Sequence, residues 1–175
     1  MPAFAGTAHA APSSRLLFSA DGGATWSSDV STSSGATVLA RIWSYNDTGA
    51  TIHNASVTTS LPSGTTLIPN STQDCLSPST TDPAWPSGDS SETCGGPVTD
   101  AAVWSGNKLT TSPTAGIQGR STTATSGDLT TGWSYVRFSM TTPYVDSTST
   151  ITETASLNGS GTGHPSSSGT ITVSD

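Results

Sequence analysis

Apolar and polar positions alternate along most of this chain in short runs, each stopped by Gly, Pro, Asn or Asp. A period of two is the mark of an extended strand with one face in a core and the other toward solvent. Arg15 to Ser19 (RLLFS) predicts a first strand, followed by a tight turn and a short return through Trp26. In ATVLARIWSYNDTGA, Val38, Ala40 and Ile42 share one face, Leu39, Arg41, Trp43 and Tyr45 share the other, and Asn46 to Gly49 turns the chain. A further strand is expected around Ala55 to Ser60, with a Leu61-Pro62 exit, a Ser63-Gly64 turn and a strand through Leu67 and Ile68. Val98 to Trp104 and Lys108 to Thr111 predict shorter strands, and a Gly- and Thr-rich region runs from Thr114 to Gly132. In WSYVRFSM, Val136, Phe138 and Met140 alternate with Tyr135, Arg137 and Ser139. Ser149 to Leu157 and Gly169 to Ser174, separated by the soft loop NGSGTGHPSSS, read as a hairpin. About seven to nine strands at turn-punctuated intervals describe an all-β sandwich with Greek-key connections.

Composition agrees. The 175 residues include 32 Ser, 32 Thr, 18 Gly and 11 Pro, with only 31% hydrophobic and 10% charged. Such a chain is either disordered or all-β, and the alternation of Thr, Val, Ile, Trp and Tyr favours order. No window carries apolar residues at helical spacing over three turns. The expected organisation is an N-terminal arm over residues 1–14 and a single sandwich over 15–175, with residues 75–94 as a loop insertion.

The net charge of -7 sets twelve carboxylates against five scattered cations, Arg15, Arg41, Lys108, Arg120 and Arg137. That argues against nucleic acid as a partner, since phosphate binding needs a basic stripe. Nothing in the sequence approaches the roughly 20 apolar residues of a membrane span. The opening MPAFAGTAHAAPSS is similar to the end of a secretory signal, with Ala8-His9-Ala10 as a cleavage site, so a secreted, extracellular protein is expected; the alternative is an Ala-rich flexible arm.

Cys75 and Cys94 flank LSPSTTDPAWPSGDSSET, a stretch too rich in Pro, Ser and Asp for a long strand or helix. A metal site needs more ligands than two thiols, and a redox pair is usually spaced C-x-x-C. A structural disulfide is the expectation, one that stabilises by about 3 kcal/mol in the chain-entropy model and belongs to an oxidising compartment.

Ser19 to Trp26, SADGGATW, fits S/T-x-D-x-G-x-T-W and so resembles the Asp-box of sialidases. A six-bladed propeller needs roughly 40 to 50 residues per blade, which this chain lacks. Three other stretches resemble a different family. ATVLARIWSYNDTGATIHNASVTTSLPSGTTLIPNS, GDLTTGWSYVRFSM and ITETASLNG are similar to the bacterial conserved-repeat domain, known as domain of unknown function eleven, with Glu153 standing where Asn is more usual. The resemblance covers about Ala36 to Asp175 and implies an immunoglobulin-like sandwich, secreted or attached to a bacterial cell surface. SADGGATW is also similar to a phrase like YSTDGGATW that recurs beside such domains in surface proteins.

Each motif of a kind that carries chemistry elsewhere has a structural reading beside it. Asp21, Gly22, Gly23 and Trp26 read as a turn, the Asp accepting backbone hydrogen bonds and the glycines adopting positive φ. A sialidase would need three converging arginines with a Tyr nucleophile and its Glu partner, and other glycosidases need two facing carboxylates. Nothing in the sequence brings Arg41, Arg120 and Arg137 together, most aspartates lie in turn-like contexts, and Glu153 lies on an expected structural strand. His9, His53 and His164 are the available bases, and no G-x-S-x-G elbow accompanies them. No catalytic residue and no required cofactor is expected; calcium is conceivable at Asp21, Asp29 and Asp47, or at Asp82 and Asp89, although no D-x-D-x-D-G run is present. Trp85, between prolines in the cysteine loop, and then Trp104 and Trp133, are the candidates for stacking on a sugar, each of which could equally plug a small core. Asn46, Asn54, Asn70 and Asn158 head N-x-S/T sequons of the number that chance gives in so Ser/Thr-rich a chain. The sequence therefore points to a non-catalytic structural or adhesive subunit that associates with copies of itself or with other surface proteins. A carbohydrate-binding module reading polysaccharide is the rival.

Overall fold

The computed structural model describes residues 12–46, 48–76, 93–112, 126–129, 132–161 and 163–175. Two mainly antiparallel sheets face one another. The first orders β1 (Ser13–Ser19), β3 (Thr37–Asn46), β11 (Gly132–Thr141), β6 (Gln73–Leu76) and β7 (Thr93–Cys94), with β5 (Thr66–Leu67) also on β11. The second orders β2 (Asp29–Ser33), β13 (Ser166–Ser174), β12 (Ser149–Asn158), β4 (Ile52–Ser60), β9 (Lys108–Thr111) and β8 (Trp104–Ser105), with β10 (Gly127–Leu129) also on β4. Thirteen strands thus appear among the described residues, more than the seven to nine expected. The surplus is in pieces of two to four residues, and seven strands have five residues or more.

The alternation read from the sequence sets the faces. Val38, Ala40 and Ile42 of β3, and Val136, Phe138 and Met140 of β11, turn inward with Leu16 and Phe18 of β1. Val57, Leu109, Ala155, Ile171 and Val173 meet them from the other sheet, all inaccessible to solvent. β12 and β13 form the expected hairpin, paired from Ser149↔Val173 to Ser156↔Ser166.

Two local expectations change. Val98 to Trp104 is not a strand: Asp100–Val103 is a helical turn (α1), which then opens into β8. Ala101 and Ala102 are good helix formers, and the Asp100 carboxylate is held by the backbone N–H of Asn70, so the turn docks without needing a sheet partner. The second concerns the return after SADGGATW, which does not stay in the first sheet. Ser27 exchanges both backbone hydrogen bonds with Phe18 of β1, and Ser28 then accepts from Thr170 of β13, so the chain crosses between sheets within two residues. β2 continues from there, parallel to β13. Gly169 makes the crossing feasible: a Cβ there would stand 2.5 Å from the Ser28 carbonyl oxygen and 2.7 Å from the Phe18 ring.

Candidate functional site

The SADGGATW turn is closed by its own side chains. Asp21 accepts from the Ser19 hydroxyl (2.7 Å) and from both the backbone N–H (2.9 Å) and the hydroxyl (2.6 Å) of Thr25. Ser19 in turn accepts from the Gly23 N–H at 2.8 Å. These donors stabilise the ionised carboxyl and hold Asp21 well below the usual carboxylate range. Gly22 and Gly23 sit at φ 75° and 96°, where a side chain is strained. The turn swings Trp26 over the outer face of the first sheet, with its ring N–H on the Gly23 carbonyl at 3.1 Å.

On that outer face Leu17, Trp26, Trp43 and Tyr135 form a second apolar cluster, packed by Leu39 and Tyr45. Arg41 lies among them with no solvent exposure. Its guanidinium carbon is 4.1 Å from the Trp26 ring centroid, 5.0 Å from that of Trp43 and 5.3 Å from that of Tyr135. Trp43 and Tyr135 stack with centroids 4.2 Å apart. Arg137 stands directly opposite Arg41 in the β3/β11 register and donates to Gln73 at 2.8 Å, and desolvation lowers its pKa. The sheet thus brings together two of the three arginines that the sequence left scattered; Arg120 lies outside the described residues.

Beside this face, between β1 and β13, is a cleft of about 410 Å³ lined by Arg15, Leu16, Leu17, Trp26, Ser28, Ser167 and Ser168. Trp26 offers it little ring area, being 4% exposed. The cleft is a hydroxyl-rich slot with one exposed cation.

Between the sheets lies Glu153, 2% exposed. Its Oε1 is 2.7 Å from the Thr59 hydroxyl, which is also 2.9 Å from the Thr154 carbonyl. The Thr59 hydroxyl thus donates toward Glu153 Oε1 and the Thr154 carbonyl together, a weak partner for a buried carboxylate. Burial accordingly pushes the Glu153 carboxyl up to about 7, the Thr59 hydrogen bond opposing in part.

The remaining candidates are dispersed. Trp104 is 9% exposed, edge-on to Phe138 at 5.2 Å, with its ring N–H on the Thr72 hydroxyl at 2.8 Å, so its faces are spent on the core. Trp85, the side chain of Trp133, Asp47, Asp82, Asp89, Glu92 and His9 lie outside the described residues. His53 pairs with Asp128 at 3.1 Å in an exposed position. Asp29 accepts from the Thr170 and Ser28 hydroxyls. Among the described residues no group of three or more His, Cys, Asp or Glu side chains could hold a metal ion, and no helix is long and apolar enough to cross a membrane. The strand register sets Cys75 directly opposite Cys94.

The flanks of the sandwich differ. Among the described residues one ends in β7 and β8, of two residues each, and the other in β1 and β2, of seven and five. Sequence reasoning missed β2, because DVSTS carries one apolar residue, Val30, and its partner strand is some 140 residues away.

No protein-family model matches the chain, and no curated protein does. Solved structures do resemble it. A putative membrane anchored protein from Corynebacterium diphtheriae superposes with a TM-score of 0.53 at 12% identity, over 94% of this chain and 36% of that one. BcpA, the major pilin subunit of Bacillus cereus, gives 0.49 at 8% identity, over 93% of this chain and 40% of that one. The collagen-binding subdomain of the Enterococcus faecalis surface protein ACE gives 0.40 at 9% identity, over 83% and 94%. The chain thus spans well under half the length of the first two. The Corynebacterium likeness shows a shared all-β fold.

Proposed function

We propose that this chain is a non-catalytic, secreted or cell-surface β-sandwich of the immunoglobulin-like Greek-key kind, and that it serves as a self-associating structural or adhesive subunit of an extracellular assembly. The observation that carries the reading is the unequal finish of the two flanks. Exposed strand edges template pairing unless they are short, charged or covered, and among the described residues β2 ends its sheet as a five-residue strand while β7 and β8 have two residues each.

A Cys75–Cys94 disulfide belongs to this reading. Residues directly opposite in an antiparallel pair have Cα atoms about 4.5 to 5.5 Å apart, inside the range a disulfide spans. Sedimentation of the full chain across concentrations tests the proposal. The expected result is mass that rises with concentration, with filaments or coats in electron micrographs of concentrated material; a single monomeric species throughout would sink it.

A further inference from the structure

The edge of β2 has a pattern of its own. In its parallel ladder with β13, Ser28 accepts from Thr170 and Ser34 donates to Ser174, so Ser28, Val30, Thr32 and Ser34 are spent on β13. The backbone groups of Asp29, Ser31 and Ser33 therefore point the other way. Two of these are already engaged: the Asp29 N–H donates to the Ser27 hydroxyl at 3.3 Å, and the Ser33 carbonyl accepts from the Thr142 hydroxyl at 3.0 Å and the Ala36 N–H at 3.3 Å. What the edge leaves open, read from N to C, is the Asp29 carbonyl, the Ser31 N–H, the Ser31 carbonyl and the Ser33 N–H. Among the described residues nothing pairs with them.

Acceptor, donor, acceptor, donor is a self-complementary series. A second β2, antiparallel about a twofold axis through Ser31, presents donor, acceptor, donor, acceptor to it, and all four groups on each chain are satisfied. The side chains agree. Asp29 falls opposite the other chain's Ser33, so no like charges face, and the Asp29 carboxylate is already held by Thr170 and Ser28 of its own chain. Asp29, Ser31 and Ser33 are exposed, and the strand has none of the lysines, prolines or bulges that block an edge. The neighbouring β1 edge is a poor alternative. Its outward groups belong to Ser14 and Leu16, because Phe18 is taken by Ser27, and a twofold there would centre on Arg15 and set two guanidiniums against each other.

We infer that the β2 edge, Asp29–Ser33, is a docking surface for a second copy of this chain, pairing antiparallel about a twofold axis at Ser31 to join two second sheets into one. The inference rests on the self-association proposed above and specifies its contact. A twofold at Ser31 puts the two Ser31 Cα atoms about 5.5 Å apart, within disulfide reach, whereas Ser33 faces Asp29. The test is therefore Ser31→Cys against Ser33→Cys in the full chain, in a glutathione redox buffer. Ser31→Cys is expected to form a covalent dimer at least about tenfold faster than Ser33→Cys, because pairing raises the local thiol concentration. Ser31→Lys, which sets two ammonium groups across the axis, is expected to lower the self-association constant at least about tenfold with an unchanged melting temperature. If the chain associates but the two Cys variants cross-link equally, the β2 contact is wrong and self-association stands. If the wild type stays monomeric at every concentration and Ser31→Cys shows no preference, both are wrong.

Discussion

Among the described residues two side chains of the Asp, Glu, His, Lys and Arg kinds are buried, and the molecule treats them in opposite ways. Arg41 has no solvent exposure on the outer face of the first sheet, and Glu153 has 2% in the space between the sheets. An arginine cannot shed its proton in a protein, so its site must suit a cation, and the ring faces of Trp26, Trp43 and Tyr135 do so within 5.3 Å. Glu153 has no such company. The side chains facing the inter-sheet space from β1, β3, β4, β9, β11 and β13 are apolar or carry hydroxyl or amide groups, and none described there is charged. A carboxylate would have only the Thr59 hydroxyl, so burial holds the proton on Glu153 up to about pH 7. Burial alone does not decide a charge state; what the neighbours can offer the charge does.

The largest test of this contrast is to uncover the cation. Trp26→Ala removes the nearest ring and leaves a cavity above Arg41, and should destabilise by about 3–5 kcal/mol in urea unfolding. A loss below about 1 kcal/mol would show that the indole is dispensable packing.

Glu153 makes the complementary prediction. Its folded pKa, about 7, lies above its ordinary 4.5, so between those values the folded state holds more protons than the unfolded one. Stability is then fully present below about 4.5 and falls as pH rises toward about 7, by at most about 1.4 kcal/mol per pH unit. Glu153→Gln should flatten this slope in denaturation series and leave the variant more stable than wild type at pH 8; an unchanged slope would assign it elsewhere.

A third experiment asks whether the two regions are independent. The cross-strand row Arg15, Trp43, Tyr135, Cys75, Cys94 runs from the arginine site to the proposed disulfide. Reduction should cost about 3 kcal/mol and leave the Glu153-dependent slope intact. Mass spectrometry that finds two free thiols in the native protein would remove the disulfide.

The smallest effect is expected at the turn. Asp21→Asn forfeits charge-assisted bonds to Ser19 and Thr25 and loosens Trp26 from outside, so the melting temperature should fall slightly. Because the Asp21 pKa is depressed, its contribution is present above the ordinary carboxylate pKa and disappears in strong acid, the reverse of Glu153.

Much of the fold was legible because it rests on period two. The inner rows of β3 and β11, and the β12/β13 hairpin, follow from which residues alternate, whatever packs on them. The misses have physical reasons as well. Asp100–Val103 became helical because the helix-forming alanines and a carboxylate bonded to Asn70 outweighed a weak strand pattern. β2 carries too little apolar signal to announce itself, and only its parallel pairing with β13 makes it a strand. Trp104 could have stacked on a ligand or plugged the core until Thr72 and Phe138 were seen to claim it.

The sequence by itself determined an all-β chain, the inward and outward rows of its main strands, and a turn at SADGGATW in which Asp21 binds its own loop. These are properties of neighbours along the chain. The tertiary structure alone decided that Arg41 lies against three rings, that burial raises the Glu153 carboxyl to about 7 and that β2, among the described residues, is the last strand of its sheet. Each depends on residues distant in sequence, as Thr59 and Glu153 are by 94 positions, and only folding sets the dielectric and the hydrogen-bond partners they share.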